Sequence, residues 1–334
     1  MDFKHTLIIA EAGVNHNGRL GLALELCKTA KEVGADVVKF QTWKTEKIIT
    51  RTVAQAEYQA ENTGKKESQF DMLKKLELSY DDFTKIKEYC DKIGIQFAST
   101  ADEEESFDFL VKLGIPFVKI SSGEVTNIPF LRKMGASKLP IIISSGMSNI
   151  SDIDIALRTL KESGATDITL LHCTTNYPCP MEEVNLKAML TLSNAFKIPI
   201  GYSDHTKGIE VPIAAVALGA KVIEKHFTLD KNMEGPDHLA STEPDEFKNM
   251  VEAIRNIEVA LGTGEKTPQK SEIEISKVVT KRCIASKSIN VGDVFSSDNV
   301  CVKRNDVGFP AKYWDLLIGK NAQKAYEINE AIEV

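Results

Sequence analysis

The sequence predicts an α/β protein, a (β/α)8 (TIM) barrel followed by a small β-rich C-terminal domain. Eight short apolar runs alternate with amphipathic stretches, and eight strands are the number that closes such a barrel. No Gly-x-Gly-x-x-Gly motif is present, so an open doubly wound sheet is the less favoured alternative. The alternation stops after Leu261, and the 334 residues are enough for a barrel of about 250 residues and a second domain.

The eight apolar runs are the predicted strands. Each is short, rich in isoleucine and valine, and apolar through most of its first half, which is typical of strands buried on both faces of a parallel sheet. The runs are 7–13, 37–42, 95–101, 117–123, 140–146, 168–174, 198–205 and 222–228.

The stretches between these runs have the period of amphipathic helices. In 20–33, 209–219 and 246–261 the apolar residues recur at spacings of three and four. Glycines such as Gly94 and Gly114 follow several of the stretches, and we expect them to end helices in the left-handed conformation.

The C-terminal part of the chain has a different pattern. We expect the barrel domain to span 1–265, a linker to span 266–277 and a β-rich domain to span 278–334. A domain of roughly 57 residues buries little surface by itself. We therefore expect it to pack on another surface, such as the barrel of a second subunit.

Composition and charge exclude several classes of protein. The chain has 41 basic and 48 acidic residues, a net charge of −7, which does not suit nucleic-acid binding. The N-terminus does not resemble a signal peptide, and no apolar stretch approaches the length of a membrane span. The six cysteines form no Cys-x-x-Cys pair. These features predict a cytoplasmic protein with reduced thiols.

Polar side chains end the predicted strands, where the active site of a barrel enzyme lies. Two lysines, several carboxylates, several hydroxyl groups and two histidines make up this ring. The ring consists of Glu11, Lys39, Gln41, Thr100, Lys119, Ser122, Glu124, Ser144, Ser203, His205, Glu224 and His226, with Asp237 beyond the last strand.

Lys39 and Lys119 are predicted to bind an anion. Each lies within an apolar strand, and burying an unpaired lysine is costly. Barrel-core salt bridges are the plainer explanation. Two such lysines among serine and threonine hydroxyls point instead to a seat for a phosphate or a carboxylate.

His205 and His226 are predicted metal ligands. They end neighbouring strands, and neutral imidazoles suit a divalent transition metal. One histidine alone would be read as an ordinary hydrogen-bonded core residue. Two at adjacent strand ends favour the metal.

The motifs along the chain resemble those of the sialic acid (N-acetylneuraminate) synthase family, which includes the legionaminic acid synthases. The similarity runs in order over nearly the whole chain. The motifs are Ile9-Ala10-Glu11-Ala12-Gly13-Val14-Asn15-His16-Asn17-Gly18, Val38-Lys39-Phe40-Gln41-Thr42, Lys119-Ile120-Ser121-Ser122-Gly123-Glu124, Leu171-His172-Cys173-Thr174-Thr175-Asn176-Tyr177-Pro178, Gly201-Tyr202-Ser203-Asp204-His205-Thr206 and Ile223-Glu224-Lys225-His226-Phe227-Thr228.

The resemblance implies a barrel followed by an antifreeze-like (SAF) domain, in a homodimer with swapped SAF domains. It implies condensation of phosphoenolpyruvate with an N-acetylated mannosamine-type sugar, with release of phosphate through C–O cleavage. It also implies a divalent metal, usually manganese, with magnesium and cobalt as alternatives.

The resemblance also assigns residues to each ligand. The phosphoenolpyruvate positions are Lys39, Thr100, Lys119, Ser122, Ser144 and Ser203, the metal ligands are His205 and His226, and the sugar positions are Glu11, Gln41, Asn62, Tyr177, Asp237 and Arg304. Three stretches depart from the family pattern. Ser121-Ser122 replaces Gly-Ser or Pro-Ser after Lys119-Ile120. Ala101-Asp102 replaces Pro-Phe after Thr100, and Asn305-Asp306 replaces Pro-Gly after Arg304.

The predicted catalytic residues are Glu11, Lys39, Lys119, Glu124, His205 and His226. Lys39 and Lys119 would hold the anion, and the metal on the histidines would polarise the sugar aldehyde. Glu11 and Glu124 are the candidates for proton transfer, and either of them could be the acid or the base.

The preferred acceptor is N-acetylmannosamine. Alternatives with the same chemistry are its 6-phosphate and 2,4-diacetamido-2,4,6-trideoxymannose, which leads to legionaminic acid. A lysine-dependent aldolase using a Schiff base on Lys39 or Lys119 is a second class. A non-catalytic ice- or carbohydrate-binding protein is a third, and the Lys303-Arg304 pair fits a flat, uncharged ice surface poorly.

Overall fold

The first of two compact units is a barrel of parallel strands. The computed structural model describes residues 1, 3–51, 53 and 68–333, and the chain divides into the units Met1–Gly262 and Thr263–Val334. In the first unit every strand pairs in parallel with the next, and the first pairs with the last. The strands are β1 (Leu7–Gly13), β2 (Val37–Thr42), β3 (Gln96–Ala101), β4 (Val118–Ile120), β5 (Ile141–Ser144), β6 (Ile168–His172), β7 (Ile200–Asp204) and β8 (Val222–His226).

The predicted barrel is therefore confirmed, with strands that end earlier than several of the predicted runs. β4 stops at Ile120, and the predicted remainder of that run enters a 3-10 turn at Ser122–Glu124. The polar residues at the ends of these runs leave the sheet and form loops at the mouth of the barrel.

Helices surround the barrel in the order that the apolar periods predict. Gly94 and Gly114 end two of them with φ of 73° and 85°, the left-handed caps expected from the sequence. The helices of this unit are α1 (Leu20–Glu32), α2 (Thr45–Ile48), α3 (Gln69–Leu76), α4 (Tyr80–Ile93), α5 (Glu104–Leu113), α6 (Ile128–Ala136), α7 (Ile150–Glu162), α8 (Lys187–Phe196), α9 (Glu210–Ala217) and α10 (Pro244–Leu261). Among the described helices, none is long and apolar enough to cross a membrane.

The barrel interior has an apolar floor below its polar mouth. Seven buried side chains pack together inside it, six from strands and Phe117 from the position just before β4. They are Ile9, Val37, Ala98, Phe117, Ile142, Leu171 and Val222. Because strand side chains alternate, the residue two positions further along each strand points to the same side. That step leads from the floor to Glu11, Lys39, Thr100, Lys119, Ser144, Cys173 and Glu224.

The second unit has a small core of its own. The antiparallel pair β9 (Lys281–Ala285) and β10 (Val300–Arg304) supplies part of it, with α12 (Trp314–Leu317) contributing Leu317. Helix α11 (Lys270–Val279) occupies most of the predicted linker. Its residues are exposed, and a capping box between Gln269 and Glu272 starts it.

Candidate active site

A polar cavity of about 240 Å³ lies at the mouth of the barrel. It is lined by residues from the ends of most of the strands and from the loops that follow them. They are Glu11, Lys39, Gln41, Thr100, Asp102, Lys119, Ser121, Ser122, Gly123, Ser144, Met147, Cys173, Thr175, Tyr177, Ser203, His205, Glu224 and His226.

Lys39 is a buried cation held by two neighbouring strands. Its Nζ lies 2.7 Å from Glu11 Oε2 and donates to Thr100 Oγ1 at 2.8 Å. Gln41 Nε2 donates to the other oxygen of Glu11 at 2.9 Å. Burial acts to lower the pKa of Lys39, but Glu11 and Glu224 outweigh it and raise that pKa. Lys39 therefore stays charged at neutral pH.

Lys119 is equally buried but less tightly paired. Its Nζ donates to Ser144 Oγ at 2.8 Å and lies 3.5 Å from Glu224 Oε1. Burial lowers the pKa of Lys119. An incoming anion would stabilise the charged form, so Lys119 is suited to bind one.

The two glutamates between these lysines differ in their proton affinity. Burial, opposed by Lys39, raises the pKa of Glu11 to about 7. For Glu224 the attraction of Lys119 and Lys39 outweighs burial and lowers the pKa. Glu11 can therefore exchange a proton near neutral pH, whereas Glu224 remains a carboxylate. Glu224 Oε2 is buried, has no hydrogen-bond partner among the described residues and is suited to meet a ligand.

His205 and His226 lie together with Tyr177 at one side of the cavity. The two imidazole centroids are 5.6 Å apart, and the ring of Tyr177 lies 4.2 Å from that of His205. Burial lowers the pKa of both histidines, so both are neutral at neutral pH. His226 Nδ1 is buried 3.7 Å from Asp237 Oδ2, and within the described part of the chain it has no hydrogen-bond partner.

These two histidines fit a divalent metal by their chemistry. A neutral imidazole nitrogen with no partner is the donor that such an ion needs. No group of three or more His, Cys, Asp or Glu side chains within the described ranges is spaced to hold an ion. Two imidazoles would therefore be completed by water or by substrate oxygens.

Hydroxyl and thiol groups line the wall between β4, β5 and β6. Ser122 Oγ accepts from the Gly146 amide at 3.0 Å and lies 3.3 Å from Cys173 Sγ. Ser203 Oγ lies 3.4 Å from Glu224 Oε1. These groups add neutral hydrogen-bond donors to the two lysines.

The structure brings most of the predicted site residues to the cavity but not all of them. Glu124 lies outside the lining, and its carboxylate accepts from Asn127 at 2.6 Å. Asp237 contacts the site through His226. Arg304 is an exposed residue of the second unit, and Asn62 lies outside the described residues.

Several lining residues were given no role from the sequence, among them Cys173 and Asp102, and Glu224 was placed in the ring without one. Strand alternation could have found Cys173, since it lies two residues from the floor residue Leu171. Asp102 follows Thr100 by the same step, just after β3 ends. The sequence feature that could have indicated Asp102 is the replacement of Pro-Phe by Ala101-Asp102 after Thr100.

Known proteins with similar sequences cover nearly the whole chain. The protein from Campylobacter jejuni subsp. jejuni serotype O:2 named N,N'-diacetyllegionaminic acid synthase is 49% identical over 331 residues, 98% of this chain and 99% of that protein. A protein of the same name from Legionella pneumophila subsp. pneumophila is 47% identical over 316 residues, 93% of this chain and 89% of that protein.

A solved structure extends the similarity to the fold. The N-acetylneuraminic acid (sialic acid) synthetase from Leptospira borgpetersenii serovar Hardjo-bovis, crystallised with citrate, superposes with a TM-score of 0.71. It is 35% identical and aligns over 83% of this chain and 93% of its own. The family model described as the NeuB family matches residues 26–266. With a barrel of this architecture, this ring of residues and relatives of this similarity, the chain belongs to the NeuB family.

Proposed function

We propose that this protein is a nonulosonic acid synthase that condenses phosphoenolpyruvate with an N-acetylated mannosamine-type sugar and releases phosphate. The observation that carries the proposal is the pair of buried lysines, Lys39 and Lys119, beside two neutral histidines in one cavity. The names of the relatives support the same reaction class.

The lysines and hydroxyls are suited to the two anionic groups of phosphoenolpyruvate. Lys39 and Lys119 are the only lysines among the lining residues that the structure describes, and both are buried. Thr100 and Ser144 already bond these lysines, and Ser122 and Ser203 add further donors. Charge-assisted hydrogen bonds of this kind are about twice as strong as neutral ones.

Glu11, Gln41, Tyr177 and Asp237 would contact the sugar, as the family resemblance implies. The first three line the cavity, and Asp237 borders it beside His226. We include Asn62 and Arg304 in the sugar site on the resemblance alone. From the resemblance we also propose that the second unit is an SAF domain and that the protein is a homodimer with swapped SAF domains. We propose a cytoplasmic location from the features of the sequence.

His205 and His226 would hold the divalent metal, manganese in this proposal. When bound, such an ion supplies Lewis acidity toward the aldehyde oxygen of the sugar. The chain holds both imidazoles neutral through burial, and Thr174 O lies 2.6 Å from His205 Nδ1. That contact fixes the orientation of the His205 ring.

The residues of the cavity account for the bonds that change. C3 of phosphoenolpyruvate forms a bond to the aldehyde carbon, and positive charge develops at C2. Glu224, the carboxylate with the lowered pKa, stabilises that charge. Water adds to C2, and the C2–O bond to phosphate then breaks. Glu11 is suited to move protons, since its pKa is about 7.

The relatives change the favoured acceptor. The two proteins that are 49% and 47% identical are named N,N'-diacetyllegionaminic acid synthases, whereas the sialic acid synthetase is 35% identical. We therefore favour 2,4-diacetamido-2,4,6-trideoxymannose over N-acetylmannosamine and its 6-phosphate. The strand-end residues do not distinguish the three sugars.

The test is a comparison of acceptors. Phosphate release from phosphoenolpyruvate is measured with each of the three sugars, with manganese and again with excess EDTA. We expect the diacetamido sugar to give the highest kcat/KM, and EDTA to abolish release. Higher kcat/KM on N-acetylmannosamine would reassign the acceptor. Release with none of them would contradict the synthase.

A Schiff-base lysine aldolase is a second candidate because burial lowers the pKa of Lys119, as a nucleophilic amine requires. Borohydride with pyruvate and the sugar distinguishes the two, because pyruvate has the keto group that a Schiff base needs. A covalent adduct on Lys119, with turnover that survives EDTA, would favour the aldolase. The synthase predicts no adduct.

A further inference from the structure

Asp102 is a carboxylate of the cavity that no step above uses. It follows Ala101, the last residue of β3, and its backbone amide donates to Thr42 O at 3.2 Å. The inward series on this strand runs from Ala98 through Thr100 to Asp102, which places Asp102 among the lining residues.

Among the residues that the structure describes, none is a partner of the Asp102 side chain. No described residue donates a hydrogen bond to its carboxylate or forms an ion pair with it, in contrast to Glu11 and Glu224. A half-buried carboxylate to which no described residue donates is suited to meet a ligand.

The charge of the cavity limits how this side chain can act. If every lining side chain were ionised, the two lysines would face three carboxylates, Glu11, Asp102 and Glu224, before any metal ion is counted. Phosphoenolpyruvate brings a carboxylate and a phosphate into the same space. An ionised Asp102 beside Lys39 and Thr100 would repel it, whereas a protonated Asp102 would donate a hydrogen bond.

The surroundings of Asp102 favour the protonated form. Burial raises its pKa to about 7, opposed by Lys39 from β2. Glu124, Glu11 and its neighbour Glu103 add to the increase. Lys119 and Glu224 are the other charged residues of the lining. Of the three lining carboxylates, Glu11 and Glu224 each lie beside a lysine, whereas Asp102 forms no ion pair with any described residue.

We propose that Asp102 binds phosphoenolpyruvate as a neutral carboxylic acid, so that substrate binding takes up a proton at this residue. This inference rests on the proposed function and adds a substrate-binding residue to it. Asp102 donates its proton in a hydrogen bond to an anionic oxygen of the substrate, and no covalent bond changes.

The test is calorimetry of phosphoenolpyruvate binding in two buffers of different ionisation enthalpy, with manganese chloride in all solutions. The difference in heat gives the protons taken up per substrate. A group whose pKa is about 7 and which binds fully protonated takes up roughly 0.8 proton at pH 7.5. We expect wild-type uptake of that order and a clear decrease in Asp102→Asn, which keeps a hydrogen-bond donor.

The pH dependence of affinity provides a second readout. Between pH 7 and 9 we expect the Kd of wild type to rise at least about tenfold more than that of Asp102→Asn, because only the wild type loses its donor. Asp102→Ala should bind weakly at both pH values. Asp108→Asn, an exposed carboxylate on α5 that pairs with Lys133, is the matched control and should behave as wild type.

The possible results separate this inference from the proposed function. Equal proton uptake in wild type and Asp102→Asn would overturn the inference and leave the function standing. If the wild type takes up no proton on binding, the inference is also overturned and the function stands, and this result does not depend on whether the variant folds. No binding of phosphoenolpyruvate to the wild type at pH 7 would overturn both.

Discussion

The two buried lysines show how one residue type acquires two properties within a single cavity. Lys39 lies 2.7 Å from a Glu11 oxygen, whereas the nearest Glu224 oxygen is 3.5 Å from Lys119. The pKa of Lys39 is accordingly raised and that of Lys119 lowered. Lys39 has its counter-charge in the fold, whereas in the proposed function Lys119 would gain most of its counter-charge from the substrate.

Replacing Lys119 tests this difference. Lys119→Met keeps the apolar stem and removes the charge that would hold the substrate anion, so kcat/KM for phosphoenolpyruvate should fall on the order of 10²-fold or more. Steady-state phosphate release measures it. Lys133→Met, which removes a partly exposed lysine on α6 paired with Asp108, should change it little. A decrease of less than threefold in Lys119→Met would contradict the role.

Asp237 and Glu124 show where residue-level prediction reaches its limit. Both follow strand ends in the sequence, yet only Asp237 borders the cavity, beside His226. Glu124 accepts from Asn127, three residues away, because the chain makes a 3-10 turn directly after β4. Sequence spacing locates the end of a strand, but the local turn decides where the side chain points.

At the level of elements, a buried ion pair connects β7 and β8. Lys225 Nζ contacts Asp204 Oδ2 and donates to Thr206 O at 2.8 Å, and both charged side chains are almost fully buried. Asp204 Oδ1 in turn accepts from the Thr206 amide at 3.0 Å. The pair therefore holds the loop that carries His205.

Removing one partner of this pair should be costly. Lys225→Met leaves the Asp204 charge buried and uncompensated, and the free energy of unfolding should fall by about 3–5 kcal/mol. The double variant Lys225→Met with Asp204→Asn should recover part of that loss, because no charge remains buried. Urea denaturation provides the measurement. A loss below about 1 kcal/mol in the single variant would show that the pair does little for stability.

The strands and the inward residues were predictable because alternation is a local property of the chain. The floor residue Ile142 and the mouth residue Ser144 follow from a two-residue step along one strand. The tight pairing of Lys39 with Glu11, in contrast, depends on the register between β1 and β2, where Glu11 lies opposite Lys39. Register between strands is set by packing of the whole barrel, and a single strand does not reveal it.

At the scale of the whole molecule, buried histidines connect loops far apart in the chain. His238 has ring contacts with Thr228 Oγ1 at 2.6 Å and Asn17 Oδ1 at 3.1 Å, so it joins the loop after β1 to the segment after β8. Burial lowers the pKa of both His16 and His238 to about 4. The sequence suggested neither the burial nor the contact, because His238 lies more than 200 residues from Asn17.

These pKa values make stability depend on pH. The usual histidine pKa is 6.5, whereas that of folded His238 is about 4. Between these two pH values His238 is protonated in the unfolded chain but neutral in the folded one. The stabilisation by neutral His238 is therefore present above pH 6.5 and is lost as the pH falls toward 4. Relative to His238→Gln, the unfolding free energy of wild type should decrease by up to about 3 kcal/mol between pH 7 and 4. Parallel curves for the two proteins would contradict this.

The sequence predicted two domains, and the chain divides into two compact units at Gly262. The main departure is α11, which forms within the predicted linker because a capping box and a helical period lie there among exposed residues. Linker composition was evident in 262–268 but did not extend through the helix. The proposed role of Arg304 in the sugar site stays a prediction.

The central claim is that the cavity of Lys39, Lys119 and the two histidines joins phosphoenolpyruvate to a sugar with cleavage of the C–O bond. The direct measurement uses phosphoenolpyruvate with oxygen-18 as the bridging atom between C2 and phosphorus. Mass spectrometry then measures the oxygen-18 content of the released phosphate. Labelled phosphate that appears only when the diacetamido sugar and manganese are present is the predicted result. Unlabelled phosphate, or labelled phosphate released without any sugar, would contradict the claim.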